Sequence, residues 1–212
     1  MQIDVKKEFN LTGEIREQLD AYIAYLLEEN EKYNLTSIKD TEDIYYKHIL
    51  DSLSGYAVLK NYFGPDLYSM KIADIGTGAG FPGIPLYLYD KKLDITLIDS
   101  NSKKINFLDK FKENHHYTFK TINGNYREIQ QKFDICLFRA FKSLYDFLFL
   151  GKRIFAEKCF ILAYKGTEGL INSEINEIKS KKIGQFIKTI EIHPVFGILE
   201  KRHLVELLWE RL

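Results

Sequence analysis

Cysteine is nearly missing: the 212 residues hold only Cys136 and Cys159, each inside an apolar run. That argues against a disulfide framework and against thiolate metal binding; two reduced core thiols in a cytoplasmic protein, with no metal, are the expectation. Proline is sparse, four in all, with no Pro-Pro and no Pro-Cys pair. No apolar run approaches the length of a membrane span, and the start Met-Gln-Ile-Asp-Val-Lys-Lys-Glu lacks a signal-peptide core. Net charge is absent too, with 30 basic against 30 acidic side chains, which argues against a wholly basic nucleic-acid binder. The halves differ, however. Residues 1–100 carry 10 Lys/Arg against 17 Asp/Glu, and residues 101–212 carry 20 against 13, so −7 is followed by +7. A basic face on the C-terminal half is therefore open to a polyanion. Repeats and low-complexity tracts are lacking as well.

Glycine, by contrast, is concentrated. In Lys71 to Pro85, the run Ile72-Ala73-Asp74-Ile75 meets Gly76, Gly78, Gly80 and Gly83. A short apolar run with glycines behind it reads as a buried strand that turns sharply, and the apolar residues after Pro82 fit a helix start. Strand, glycine turn and helix start make a nucleotide-binding corner. Two ligands compete for it. Gly78-Ala79-Gly80-Phe81-Pro82-Gly83 satisfies the dinucleotide fingerprint, with Asp99 about 20 residues on. Asp74-Ile75-Gly76-Thr77-Gly78-Ala79-Gly80 also resembles the acid-led glycine loop of S-adenosylmethionine-dependent methyltransferases, where the acid faces the cationic methionine portion. Pro82 removes an N–H where a pyrophosphate wants one, which favours the methyl donor.

The rest of the chain sets this corner in an α/β domain. An amphipathic helix is expected over residues 13–34, with Ile15, Leu19, Ile23, Leu26 and Leu27 at helical spacing. A second, with Thr41 as N-cap, runs through Leu53 towards Leu59. Strands are expected at Asp94–Asp99, Tyr117–Ile122, Phe133–Phe138 and Cys159–Tyr164, with helices capped by Ser102, over Ser143–Leu150 and near Glu168–Lys181. The last two strands, Phe186–Val195 and His203–Trp209, are separated by too short a loop for a crossover and should pair antiparallel. A mainly parallel sheet ending in an antiparallel hairpin, with an N-terminal helical extension over residues 1–66 and a core over 67–212, is the layout of Rossmann-like class I methyltransferases.

At the strand C-terminal ends this arrangement gathers Gly76–Phe81, Asp99, Asn123–Arg127 and Arg139. Asp99 is expected to accept ribose hydroxyls, Phe81 to wall the donor, Tyr126 and Arg127 to flank adenine, and Arg139 to border the transfer site. The scarcities narrow the target. Amine methylation is commonly supported by an Asn/Asp-Pro-Pro-aromatic turn, and methylation of pyrimidine carbon needs a thiolate nucleophile; neither is present. An acceptor that already holds a free lone pair, such as guanine N7, needs only positioning and charge tuning.

Asn34-Leu35-Thr36-Ser37, Lys47-His48-Ile49-Leu50-Asp51-Ser52, the glycine-proline block from Asp74 to Leu86, Leu97-Ile98-Asp99-Ser100 and Arg139-Ala140-Phe141 occur in one order and spacing. Together they resemble the bacterial RsmG (GidB) family, which methylates guanine N7 in small-subunit (16S) ribosomal RNA. The resemblance runs from about residue 20 to Arg139, continues through Tyr164-Lys165-Gly166 and ends at Lys201-Arg202-His203-Leu204. It implies S-adenosylmethionine as cofactor, with donor contacts at Gly76, Phe81, Tyr126, Arg127 and Arg139 beside Asp74, Gly78, Gly80 and Asp99. It also implies catalytic roles for Arg139 and His48, a place near the cleft for Asp51, and RNA contacts at Lys103, Lys104, Lys165 and Arg202. Gly124-Asn125-Tyr126-Arg127 departs from the family's basic-apolar-acidic pattern, so contacts there are expected through the backbone. The alternatives are a small-molecule methyltransferase, for which the basic half is incidental, and an NAD-binding oxidoreductase or nucleotide-binding module. The roughly 70 residues outside the core are few for the substrate domain an oxidoreductase needs.

Overall fold

A computed structural model describes residues 1–9, 11–140, 142–198 and 201–211. Phe141 of the Arg139-Ala140-Phe141 piece lies outside the described residues.

The five strands that face the site alternate with helices except between the third and fourth, which a loop joins. β2 (Lys71–Ile75), β3 (Asp94–Asp99), β4 (Lys120–Asn123), β5 (Phe133–Arg139) and β6 (Phe155–Lys165) are joined by parallel pairing, and β7 (Ile187–Phe196) and β8 (Arg202–Glu210) add an antiparallel hairpin. The expected hairpin is therefore present. A two-residue strand, β1 (Ile3–Asp4), pairs parallel with β7, giving the order β1-β7-β8-β6-β5-β2-β3-β4. The N-terminal segment thus contributes a strand as well as helices. Chain order reverses at β2, which has β3 on one side and β5 on the other, so the crevice opens beyond the ends of β2 and β5.

The sheet is covered on both faces, as parallel strands with continuous apolar runs require. One face receives α1 (Val5–Glu8), α2 (Gly13–Tyr33), the helical stretch beginning at α3 (Thr41–Ile44) and continuing into α4 (Asp51–Phe63), then α5 (Gly83–Tyr89) and α6 (Ser102–Asn114). The other receives α7 (Leu144–Gly151) and α8 (Glu168–Ser180). In α2 the buried stripe is Leu19, Tyr22, Ile23 and Leu26, with Glu29 and Asn30. Ile15 and Leu27, expected in that stripe, are only half-buried. Asn34 ends α2 in the left-handed region, φ 49°, a conformation Asn tolerates because its short side chain bonds locally.

Two caps fall one residue before their expected places. Asp40, not Thr41, accepts from the N–H of Asp43 at 2.9 Å, and Asn101, not Ser102, accepts from Lys103 at 3.0 Å. Either side-chain type suits an N-cap, so the sequence alone does not separate them. Between α3 and α4 the helix widens into a π-helical segment, Tyr45–Leu50. Such segments are rare and concentrate at functional sites; this one carries Lys47 and His48. Cys136 and Cys159 are buried and free on adjacent strands, with sulfurs 3.8 Å apart. Desolvation pushes the Cys136 thiol up, away from the thiolate a nucleophile needs.

Candidate active site

Two depressions meet at the β2 switch and share Gly76. One, about 220 Å³, is lined by Gly76, Ile98, Asp99, Ser100, Gly124, Asn125, Tyr126, Arg127 and Lys142. The other, about 280 Å³, is lined by Leu35, Thr36, Ser37, His48, Gly76, Thr77, Gly78, Ala79, Phe81, Arg139 and Ala140. The structure thus brings together the glycine loop, Asp99, Tyr126, Arg127, Phe81, His48 and Arg139.

The loop is held from below. Asp74 is fully buried, and its Oδ2 accepts from Thr77 Oγ1 at 2.6 Å and from the Gly83 N–H at 2.8 Å. Through Oδ2 this acid ties both ends of the turn from beneath the loop, while its buried Oδ1 has no hydrogen-bond partner among the described residues. A Cβ on Gly83 would lie 2.1 Å from Leu97 and 2.8 Å from Asp74 Oδ2, so glycine is required for that close approach. The N–H at the start of α5, which a pyrophosphate would seek, is already taken by this carboxylate. Tyr22 Oη donates to the Ala79 carbonyl, so α2 clamps the loop from the other side.

Burial pushes the Asp74 carboxyl up to about 6, against lowering by Thr77 and the Gly83 N–H. A carboxyl that is raised on folding holds its proton in the folded chain after the unfolded chain has released it. Its contribution to stability therefore falls as pH rises from about 4 to about 6. Chemical denaturation of wild type and Asp74→Asn across that window is expected to show the wild type losing roughly 2 kcal/mol relative to the variant. Parallel curves would show that Asp74 does not titrate there.

Asp99, at the end of β3, accepts from the Gly78 N–H through Oδ2 and from the Asn101 N–H through Oδ1, each at 2.9 Å. Each oxygen keeps a second lone-pair direction for a ligand hydroxyl. Tyr126, which borders the smaller depression, turns its ring parallel to Phe147 at 6.1 Å. Arg127 lies over that ring at 6.0 Å.

Arg139, at the end of β5, reaches the π-helical segment. Its Nη1 donates to the Lys47 carbonyl at 3.1 Å and to Asp51 Oδ2 at 3.2 Å, and Nη2 lies 2.8 Å from His48 Nδ1. The Asp51 side chain is only 2% exposed and that of Arg139 12%; Arg202 Nε lies 3.9 Å from the other Asp51 oxygen. The Arg139 guanidinium and the His48 ring both lie against Phe81, at 5.2 and 4.6 Å. Arginine has no acceptor, so His48 Nδ1 must accept, which leaves its proton on Nε2, 3.4 Å from Thr36 Oγ1. The 3.2 Å approach of Nδ1 to the Lys47 carbonyl is then a contact between two acceptors. Burial, with the Arg139 charge, lowers His48 to about 3. It is neutral at physiological pH and holds no proton to give through Nδ1.

The four cations expected to face RNA are placed differently from one another. Lys103 is exposed and Lys104 half-exposed at the start of α6, and Lys104 Nζ lies 3.8 Å from where a Cβ on Gly78 would sit. Arg202 belongs to the Asp51 cluster. Lys165 is tied down: its side chain is 14% exposed, its Nζ pairs with Glu174 at 2.8 Å and donates to the Lys142 carbonyl at 2.9 Å. Glu174 also accepts from the Leu144 N–H. These contacts join β6 to α8 through the Lys165 ammonium. Lys165→Met should lower stability by about 1–2 kcal/mol in a denaturant melt and leave the salt dependence of RNA binding unchanged.

Thr36, Ser37 and Lys142 line the site without having been singled out for it. Thr36 and Ser37 had a signal in the Asn34-Leu35-Thr36-Ser37 piece of the resemblance, and Asn30, one turn before the end of α2, accepts from the Thr36 N–H at 2.8 Å and fixes that turn over the crevice. Away from the site, buried His193 on β7 and Glu206 on β8 pair at 2.9 Å, with Glu191 close by. No helix among the described residues is long and apolar enough to cross a membrane.

Residues 15–205 match the family described as rRNA small subunit methyltransferase G, GidB. The chain belongs to this family. It is 36% identical over 190 residues to the ribosomal RNA small subunit methyltransferase G of Mycoplasma capricolum, covering 88% of this chain and 79% of that one. The protein of the same name from Aquifex aeolicus is 34% identical over 169 residues, covering 77% and 82%. In fold, the chain is similar to the magnesium protoporphyrin IX methyltransferase of Synechocystis solved with bound SAM, with TM-score 0.62 and 11% identity over 95% of this chain and all of that one. The GidB match spans both depressions and every residue of the Arg139 cluster.

Proposed function

We propose that this chain transfers a methyl group from S-adenosylmethionine to N7 of a guanine in small-subunit ribosomal RNA, in the cytoplasm. The observation that carries the reading is the two-lobed crevice. Bare glycine backbone and the Asp99 carboxylate border one lobe; Phe81, His48 and Arg139 border the other, and Gly76 joins them. The donor fits this lining, since Gly76 and Gly78 present backbone without side chains and Asp99 has lone pairs left for ribose hydroxyls. Bound there, it would supply an electrophilic methyl group on a sulfonium sulfur.

The chain's own residues supply position and charge. The Gly76–Phe81 backbone, Asp99 and the Tyr126-Arg127 backbone are the donor contacts in this reading. His48 and Arg139 border the target lobe, and the segment 1–66 forms its outer wall as an extension of the 67–212 core. Guanine N7 carries an in-plane lone pair, so no base is required, in keeping with a neutral His48 whose Nδ1 is engaged by Arg139. Lys103 and Lys104 attract phosphate, which positions RNA without specifying sequence.

The test is nucleoside analysis of ribosomal subunits after incubation with the chain and methyl-labelled donor. Label is expected in 7-methylguanosine from the small subunit. Label confined to large-subunit RNA, or to another nucleoside, would overturn the assignment.

A further inference from the structure

A groove of about 640 Å³ lies away from the crevice, between α7, the end of α8 and β8. Trp209 on β8 is opposite Cys159, six residues along β6 from Lys165 at the crevice end, so the two sites are about 20 Å apart along the sheet. Tyr145 and Phe149, one turn apart on α7, lie parallel in the groove wall at 5.9 Å and 14°. Phe149 is 48% exposed. Trp209 is 2% exposed, and its buried indole Nε1–H has no acceptor among the described residues. Ile183, Phe186 (stacked on Trp209 at 4.9 Å), Lys152, Lys181, Lys182 and Arg211 complete the lining, which holds no carboxylate among the described residues. Lys152 lies over the Phe149 ring at 5.2 Å and Lys181 over Tyr145 at 5.7 Å.

Rings flanked by cations, with a buried donor lacking an acceptor, offer the complement of an unpaired nucleotide: a π-face to stack, an acceptor-bearing edge and a phosphate. We propose that this groove is a second RNA-binding site, which captures an unpaired nucleotide of the substrate strand while the target guanine lies in the crevice. The proposal rests on the ribosomal-RNA reading above. It assigns the basic balance of the C-terminal half a place, since all four cations come from that half.

Trp209 is the chain's one tryptophan, so the groove carries its own probe. A single-stranded oligoribonucleotide of eight residues, titrated into the full chain, should change Trp209 fluorescence saturably, and affinity should fall steeply with salt. Phe149→Ala combined with Lys181→Ala should weaken that binding at least about tenfold and leave calorimetric binding of S-adenosylmethionine unchanged. On ribosomal subunits the same variant should raise KM with kcat unmoved. No fluorescence change with the oligomer, or equal affinity in wild type and variant, would overturn the proposal. An equal response to polyglutamate, or adenosine monophosphate binding as tightly as the oligomer, would overturn it too, in favour of an acidic peptide or a free nucleotide. Unchanged KM in a variant that still methylates subunits would remove the groove and leave the methyl-transfer reading intact. Oligomer binding with no transfer to subunits would remove that reading and leave the groove an RNA site.

Discussion

Replacing Arg139 with alanine is expected to lower kcat/KM for methyl transfer roughly 10²–10³-fold, the loss typical when a preorganised charged donor is removed from a reaction site. Stability should fall as well. Asp51 is buried at 2% side-chain exposure and draws its charge balance from Arg139 at 3.2 Å and Arg202 at 3.9 Å. Stripping one partner from a buried pair costs about 3–5 kcal/mol, and Arg202 places the expected value at the lower end. Arg139→Lys keeps the charge and loses the fork that meets the Lys47 carbonyl, Asp51 and His48 together. It should recover stability more than rate. A double-mutant cycle with Asp51→Asn separates the two effects: coupling in the denaturant melt measures the ion pair. If Arg139→Ala melts and turns over like wild type, the cluster has no role in either.

Gly80→Ala is the largest purely structural change expected. Gly80 sits at φ 79°, where an L side chain is strained, and an added Cβ would stand 2.5 Å from Ile84, 2.6 Å from Tyr22 Oη and 2.9 Å from Leu108. Left-handed backbone costs about 1–2 kcal/mol and overpacking typically 1–3. A melting point lower by about 5–20 °C follows for a chain of this size. Because those neighbours clamp the loop from α2, α5 and α6, donor affinity should fall along with it. A melt within 2 °C of wild type, on the order of the smallest shift that about 1 kcal/mol produces, would show that the loop relaxes freely.

The glycine corner, Asp99 and the closing hairpin were legible in the sequence because each is local. A strand running into four glycines, an acid ending the next strand and a short loop between apolar runs carry their geometry with them. What stayed hidden depends on partners distant in the chain. Arg139 and His48 meet across 91 positions, so the bare histidine had no visible partner. An acid at a strand end gives no sign that, like Asp74, it ties the underside of its own loop. Lys165 reads as a free surface charge until β6 and α8 bring Glu174 against it. β1 spans two residues, too few for any periodicity, and the widening at Tyr45–Leu50 leaves an ordinary helical pattern on either side.

The most direct test of this account is calorimetric titration of the wild-type chain and Asp99→Ala with S-adenosylmethionine, its demethylated product and NAD. The two-lobed crevice predicts micromolar binding of the first two, no heat from NAD, and at least about a tenfold loss in Asp99→Ala, where carboxylate hydrogen bonds worth about 1.5–3 kcal/mol are removed. Binding of NAD alone, or donor binding indifferent to Asp99, would contradict it.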